Sequence, residues 1–262
     1  SEFIEKTRFE DIPEKVIDKA KCCFLDFLGC GIAGINDQSS RLIVDYIGDI
    51  GSRGRASIIG REKKTDTAHA ALANGVIGHS LDYDDYHNET ITHATAACLP
   101  AVLSVAEEKK LYGADVLLAL ILGNEISLRL GLGLTYDSYE RGWHTTSTAG
   151  RFGATAAAAK LLGLQKDTVV NALGICGTQT AGFRQVFGTM CKPFNAGKAA
   201  MDGVMSAKLA GKGFTSSKEI IEGEMGFLHI MTENPDEASV LEGLGSHYHM
   251  EDLSFKPYPT CA

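Results

Sequence analysis

Apolar residues recur at helical spacing along most of the chain. In IPEKVIDKAKCCFLDFLGCGIAG, Val16, Ile17, Ala20, Cys23, Phe24, Phe27 and Leu28 share one stripe; Pro13 suits a first turn, and Gly29 and Gly31 mark the expected stop. SSRLIVDYIGDIG repeats the period through Leu42, Ile43, Tyr46 and Ile47. ASIIG reads as a short strand before the polar turn REKKTD, after which Thr65 or Asp66 can cap a helix expected to run from 66 to 82. Helical patterns continue in CLPAVLSVAEEKKLYG, ADVLLALILGNEISLRLGLGL, STAGRFGATAAAAKLLGL, KDTVVNALGICGTQTAG and AGKAAMDGVMSAKLAGKGF, the last closing in glycine. These segments are rich in Ala and Gly, whose small side chains let helix axes approach closely. The expected fold is mainly all-α, a compact multi-helix domain, with no repeat or linker to divide it.

Composition narrows the function classes. The 262 residues are 44% hydrophobic and 22% charged, which is globular and excludes disorder. The formal net charge is -8 and no basic run exceeds two residues, so nucleic acid and anionic membrane are not expected partners. An anionic substrate would therefore require a local basic pocket. The apolar run from Val116 to Gly123 is interrupted by Asn124 and Glu125, short of the roughly 20 residues that span a bilayer. SEFIEKTRFEDIPEKV has no apolar signal-peptide core, which makes a cytoplasmic location the expectation. Seven cysteines, at 22, 23, 30, 98, 176, 191 and 261, form an odd set without a CxxC pair and read as reduced thiols packed as small hydrophobes.

The densest chemistry lies in HSLDYDDYHNETITH, residues 79 to 93, with three aspartates and three histidines. A helix reaching residue 82 would put His79 and Asp82 on one face, with Asp84, Asp85 and His87 in the loop beyond. Three readings compete on local pattern: a solvated acidic loop, a Mg, Mn, Zn or Fe site, and metal-free acid/base catalysis by histidine oriented by aspartate. No HExxH or EF-hand spacing occurs, and DYDDYHNE does not reproduce a DDxxD motif.

The surrounding sequence adds a resemblance. ALANGVIGHSLDYDD with the later THA histidine, the helix PEKVIDKAKCCFLDFLGCGIAG, RGWHTTSTAGRFGATAAAAKLLGL, the lysine segment GTMCKPFNAGKAAMDGVMSAKLAGKGFTSSKEIIEGEMGFL and KPYPTC together resemble the MmgE/PrpD family. That family includes 2-methylcitrate dehydratases, cis-aconitate decarboxylases and an iminodisuccinate epimerase. The resemblance implies a small di- or tricarboxylate substrate, a reaction next to a carboxylate without metal or other cofactor, and a homodimer. It assigns catalytic roles to Asp82, His93, His144 and Lys192: the histidines exchange protons, Asp82 orients one of them, and Lys192 neutralises developing negative charge. Asp85, Tyr86, Arg184 and Asn195 are the implied substrate-binding residues, Arg184 as a bidentate partner for a second carboxylate.

The implied activity is a lyase, with dehydration of a 2-methylcitrate-like hydroxy acid placed first. An isomerase or epimerase and a cis-aconitate-type decarboxylase are the alternatives; outside the enzymes stands a non-catalytic helical binding domain. Departures from the family are Tyr86 where many relatives have threonine, a segment to His93 longer by about one residue, and Asn195 where histidine often follows the motif lysine. Relatives continue into a smaller lid domain, so the expected layout is a helical domain over 1–255 and, over 256–262, the start of a connection to a lid that this chain lacks. Elsewhere, Glu125 and Arg129 are expected to pair within a helix, RLGLGLT is not expected to bind phosphate, and Trp143 is expected beside the site.

Overall fold

The computed structural model describes residues 1–260; Cys261, the last part of the KPYPTC element and the end of the expected lid connection lie outside the described residues. Twelve α-helices and one minimal hairpin make up the described fold. In chain order these are α1 (Glu2–Lys6), α2 (Glu14–Gly34), α3 (Gln38–Ile50), β1 (Ala56–Ser57), β2 (Lys64–Thr65), α4 (Thr67–His79), α5 (Ala94–Lys109), α6 (Gly113–Gly133), α7 (Thr135–Glu140), α8 (Thr145–Leu161), α9 (Lys166–Gly177), α10 (Cys191–Ala210), α11 (Phe227–Met231) and α12 (Glu237–Leu241). The strands pair antiparallel with Ala56 opposite Thr65. The all-α expectation holds.

Helix α8 is the central rod. All but one of its residues are buried, against α5, α6, α9 and α10. Small residues set these crossings: a Cβ on Gly75 of α4 would lie 2.5 Å from the Cα of Gly197 of α10, and one on Gly123 of α6 would lie 3.0 Å from the Gly153 carbonyl of α8. Close approach lets long stretches of helix share dispersion contacts without bulky side chains between them.

Three boundaries differ from expectation. Helix α2 runs to Gly34, beyond Gly29 and Gly31. Gly31 and Gly34 are contact points rather than stop signals: a Cβ on Gly34 would meet the Ile77 carbonyl at 2.5 Å. Asp66, not Thr65, caps α4, its carboxylate accepting the Ala68 and His69 N–H groups. Helix α4 ends at His79 instead of continuing to 82, because Asp82 takes a left-handed backbone conformation, φ 50°, that closes the turn.

Helix α6 alone, among the described residues, has the length and apolarity to cross a membrane, yet most of it is buried inside the bundle. Its expected Glu125–Arg129 pair is formed at 2.7 Å and fully buried. Arg129 also donates to the carbonyls of Glu242 (2.7 Å) and His247 (2.9 Å), tying the C-terminal segment to the bundle. The six described cysteines are free thiols.

Candidate active site

Four helix ends meet at one place. His79 is the last residue of α4, His93 and His144 are the N-cap residues of α5 and α8, and Lys192 stands in the first turn of α10. The His93 N–H donates to the Thr146 hydroxyl at 3.0 Å, joining the starts of α5 and α8. Three helix N-termini thus converge, and their partial positive charge favours anions and opposes imidazolium. Residues 142–144 are held by pairing with 182–184, where the His144 N–H donates to the Gly182 carbonyl at 3.1 Å. Gly182 has φ 124° and no room for a Cβ, which would lie 2.4 Å from that of Ser147.

The carboxylates organise the cations. Asp82 is gripped by Lys192, by Lys256 at 3.0 Å, and lies 3.6 Å from His93 Nε2. Burial pushes its acid up, but His79, Lys192 and His93 outweigh that and hold it below the usual range. Asp84 is fully buried, 2.7 Å from His79 Nδ1 and 3.1 Å from His93 Nδ1. Burial again opposes ionisation, and the two imidazoles hold Asp84 well below the ordinary value.

The two N-cap histidines have opposite proton arrangements. His93 Nδ1 lies 2.9 Å from the Asp85 carbonyl, which can only accept, so Nδ1 carries the proton and the Nε2 lone pair is available. Asn195 Nδ2 lies 3.1 Å from His144 Nδ1; an amide nitrogen only donates, so the His144 proton is on Nε2. Both imidazoles are buried and both have lowered basicity, through burial first. For His144 the charges of His79, His93 and Lys192 add to that effect. The cluster therefore presents a neutral base beside a neutral N–H donor.

All four residues with implied catalytic roles come together, and Asn195 joins them. Tyr86 stands at the edge, its ring 6.4 Å from that of His93 and its backbone paired with Ser254. Trp143 stacks on Phe183 at 5.1 Å, just beside the cluster. Two expected substrate contacts are placed differently. Asp85 is fully buried against Thr95 and Cys23, and burial pushes its acid up to about 7. Arg184 donates to the Tyr139 carbonyl at 2.7 Å and stacks on the Tyr139 ring, in a neighbouring cleft with Arg141 and Phe187.

Sequence reasoning did not select His79, Asp84, Lys256 or Phe187. The first two lay in the acid and histidine stretch, and Lys256 in KPYPTC; Phe187 carried no signal. Its ring meets that of His144 edge-on at 4.8 Å and lies 5.1 Å from Lys192 Nζ, forming an apolar wall. Donor atoms of His79, Asp82, Asp84 and His93 lie within 4.8 Å of one another, close enough for an ion. Two ammonium groups on Asp82 and two imidazoles beside Asp84 already engage those carboxylates, and the converging helix N-termini favour an entering anion over a cation.

An all-helical domain whose helix ends enclose histidines, aspartates and lysines is what fold and site define. The chain matches the MmgE/PrpD N-terminal domain over residues 1–239 and belongs to that family. It is 32% identical to a cis-aconitate decarboxylase of Aspergillus terreus, over 96% of this chain and 54% of that protein. Identity to the human cis-aconitate decarboxylase is 29%, over 95% and 53%. Identity to a mitochondrial 2-methylcitrate dehydratase of Yarrowia lipolytica is 26%, over 92% and 48%. The chain spans about half the length of these curated relatives.

Proposed function

We propose that the chain carries the acid/base machinery of a metal-independent lyase acting on a small tricarboxylate, with cis-aconitate-type decarboxylation as its reaction. The observation that carries the reading is the pair of N-cap histidines with opposite Nε2 states, set among three helix N-termini and the ammonium groups of Lys192 and Lys256. The greater identity to decarboxylases reverses the order in which the sequence alone placed dehydration first.

A tricarboxylate brings three negative charges beside imidazoles whose basicity burial has lowered. Binding then favours protonation of His93, whose imidazolium would sit between Asp82 and Asp84. As CO2 leaves, the C–C bond electrons move across the alkene, and the far carbon takes the proton from His93 Nε2. Lys192 and the N–H of His144 stabilise the negative charge that develops on the remaining carboxylates.

Dehydration is the second reading, favoured by the neutral base itself. His93 Nε2 would remove the proton beside a carboxylate, the electron pair would form the alkene, and the hydroxyl would leave as water with a proton supplied from the His144 side. The homodimer implied by the resemblance is part of the same proposal, and light scattering of the complete protein tests it.

Product analysis by NMR in deuterated water, with cis-aconitate and 2-methylcitrate offered to the complete protein, tests the reaction. The expected result is CO2 loss from cis-aconitate with one deuteron placed on carbon. Alkene formation from 2-methylcitrate alone would select the second reading, and no turnover of either compound would overturn both.

A further inference from the structure

The segment His247–Asp252 carries a second group of metal-type donors, outside the acid and histidine cluster. Tyr248 and Met250 are buried in the core beneath it, so His247 and His249 flank an anchored residue and turn toward each other, rings perpendicular at 4.7 Å. Asp252 closes the following turn. One donor atom from each of His247, His249 and Asp252 lies within 4.8 Å of the other two. Among the described residues none of these three side chains has a hydrogen bond or ion pair.

The surroundings favour a cation. Glu89 and Glu242 line the same cleft as His247 and His249. The neighbouring cation, Arg129, is engaged by Glu125 and by backbone carbonyls, including that of His247. This is the reverse of the acid and histidine cluster, where ammonium groups already occupy Asp82. The backbone is also fixed at two points, by the Arg129 bond to the His247 carbonyl (2.9 Å) and by the Met250 N–H to Glu125 (3.4 Å).

We propose that His247, His249 and Asp252 bind a late first-row divalent ion of the zinc class. Two imidazoles and a carboxylate suit such an ion, with a fourth position left for water or for Glu89. Bond lengths of about 2.0–2.2 Å require donors about 3.4 Å apart in a tetrahedron, so donors within 4.8 Å of one another close by at most about 1.4 Å. His247 and Asp252 are exposed and free to do so. The ion would sit beside the hairpin that leads to His93, since His87 pairs with Thr92 and its ring lies 6.5 Å from that of His249. His87 itself is not a ligand: its Nδ1 accepts the Thr90 N–H, which places its proton on Nε2.

The test is calorimetric titration of the untagged, chelator-stripped complete protein with Zn2+, together with visible absorption on adding Co2+. The expected result is one equivalent bound, with the absorption bands of a low-symmetry Co2+ site. His247→Ala and His249→Ala should each weaken binding at least about tenfold, while His93→Gln leaves it unchanged. Circular dichroism verifies folding, and exposed His247 gives a variant whose fold does not depend on the replaced side chain. No binding, or binding insensitive to His247→Ala and His249→Ala, overturns the proposal. Loss of binding only in His93→Gln also overturns it, by placing the ion in the acid and histidine cluster.

Discussion

Two groups of buried charge in this molecule use similar side chains to opposite ends. Around Arg129, a guanidinium meets the Glu125 carboxylate from the same helix, and its remaining donors go to backbone carbonyls of the 240–247 segment. Around Asp82, two ammonium groups and an imidazole come from three separate parts of the chain, positions 93, 192 and 256. The first group pairs by local spacing, and its remaining donors are taken up by backbone carbonyls of the C-terminal segment. The second gathers two ammonium groups and three helix N-termini around Asp82 and Asp84, an arrangement that can accept a further anion. Saturation by backbone marks structure, and titratable groups converging from distant helix ends mark a site.

The comparison breaks first at His144. Its ring is buried, and His144→Gln keeps most of the volume while replacing the imidazole with an amide that cannot exchange a proton and has no atom at the Nδ1 position that Asn195 contacts. We expect turnover by the complete protein to fall about 10²–10⁴-fold, with little change in urea midpoint. A large stability loss with unchanged turnover would place His144 with Arg129 among the structural groups. The converse change, Arg129→Ala, strands Glu125 without its partner and should cost about 3–5 kcal/mol, read as a lower urea midpoint. If turnover at a temperature where the variant stays folded fell as far as in His144→Gln, the division between the two groups would fail.

The helices were legible because their signal is local. Ala and Gly at helical spacing in the α4, α8 and α10 segments announced close packing, and Asp66 announced a cap. The break at His79 was not legible, since Asp82 is held in its left-handed turn by Lys256, 174 positions away. Composition could not rank Asp84 against Asp85 either. Adjacent residues on an irregular loop point in different directions, and only the fold decides that Asp84 faces two imidazoles while Asp85 faces Thr95 and Cys23. Lys256 stood in a stretch expected to begin a connection, and its contact with Asp82 is wholly long-range.

Asp85 sharpens the comparison from the structural side. Burial, with Asp84 and Asp26 nearby, raises its acid to about 7, and its carboxylate oxygens lack well-formed hydrogen bonds. The unfolded chain releases this proton near pH 3.9 and the folded chain only near 7, so the folded state binds more protons across that window. Stability from this group is therefore full at low pH and is lost as pH rises from about 4 to 7. Asp85→Asn removes the titration, and its gain over the parent should grow by about 2–3 kcal/mol between pH 5 and pH 8 in urea titrations. A gain independent of pH would mean that Asp85 is ionised in the folded protein.

The smallest expected effect is the most specific. Asn195 reaches His144 Nδ1 at 3.1 Å and is the group that places the proton on Nε2. Asn195→Ala removes one hydrogen bond at a half-buried position, worth about 1 kcal/mol, so turnover should fall only several-fold to about tenfold. Its signature is in the pH dependence: an imidazole no longer tied as an acceptor protonates more readily, and the acidic limb of the kcat profile should move to higher pH. Asn195→His, which restores a ring nitrogen able to donate to His144, should recover most of the rate. A rate loss without movement of that limb would leave Asn195 as packing and remove the assignment of opposite proton states on which the proposed chemistry depends.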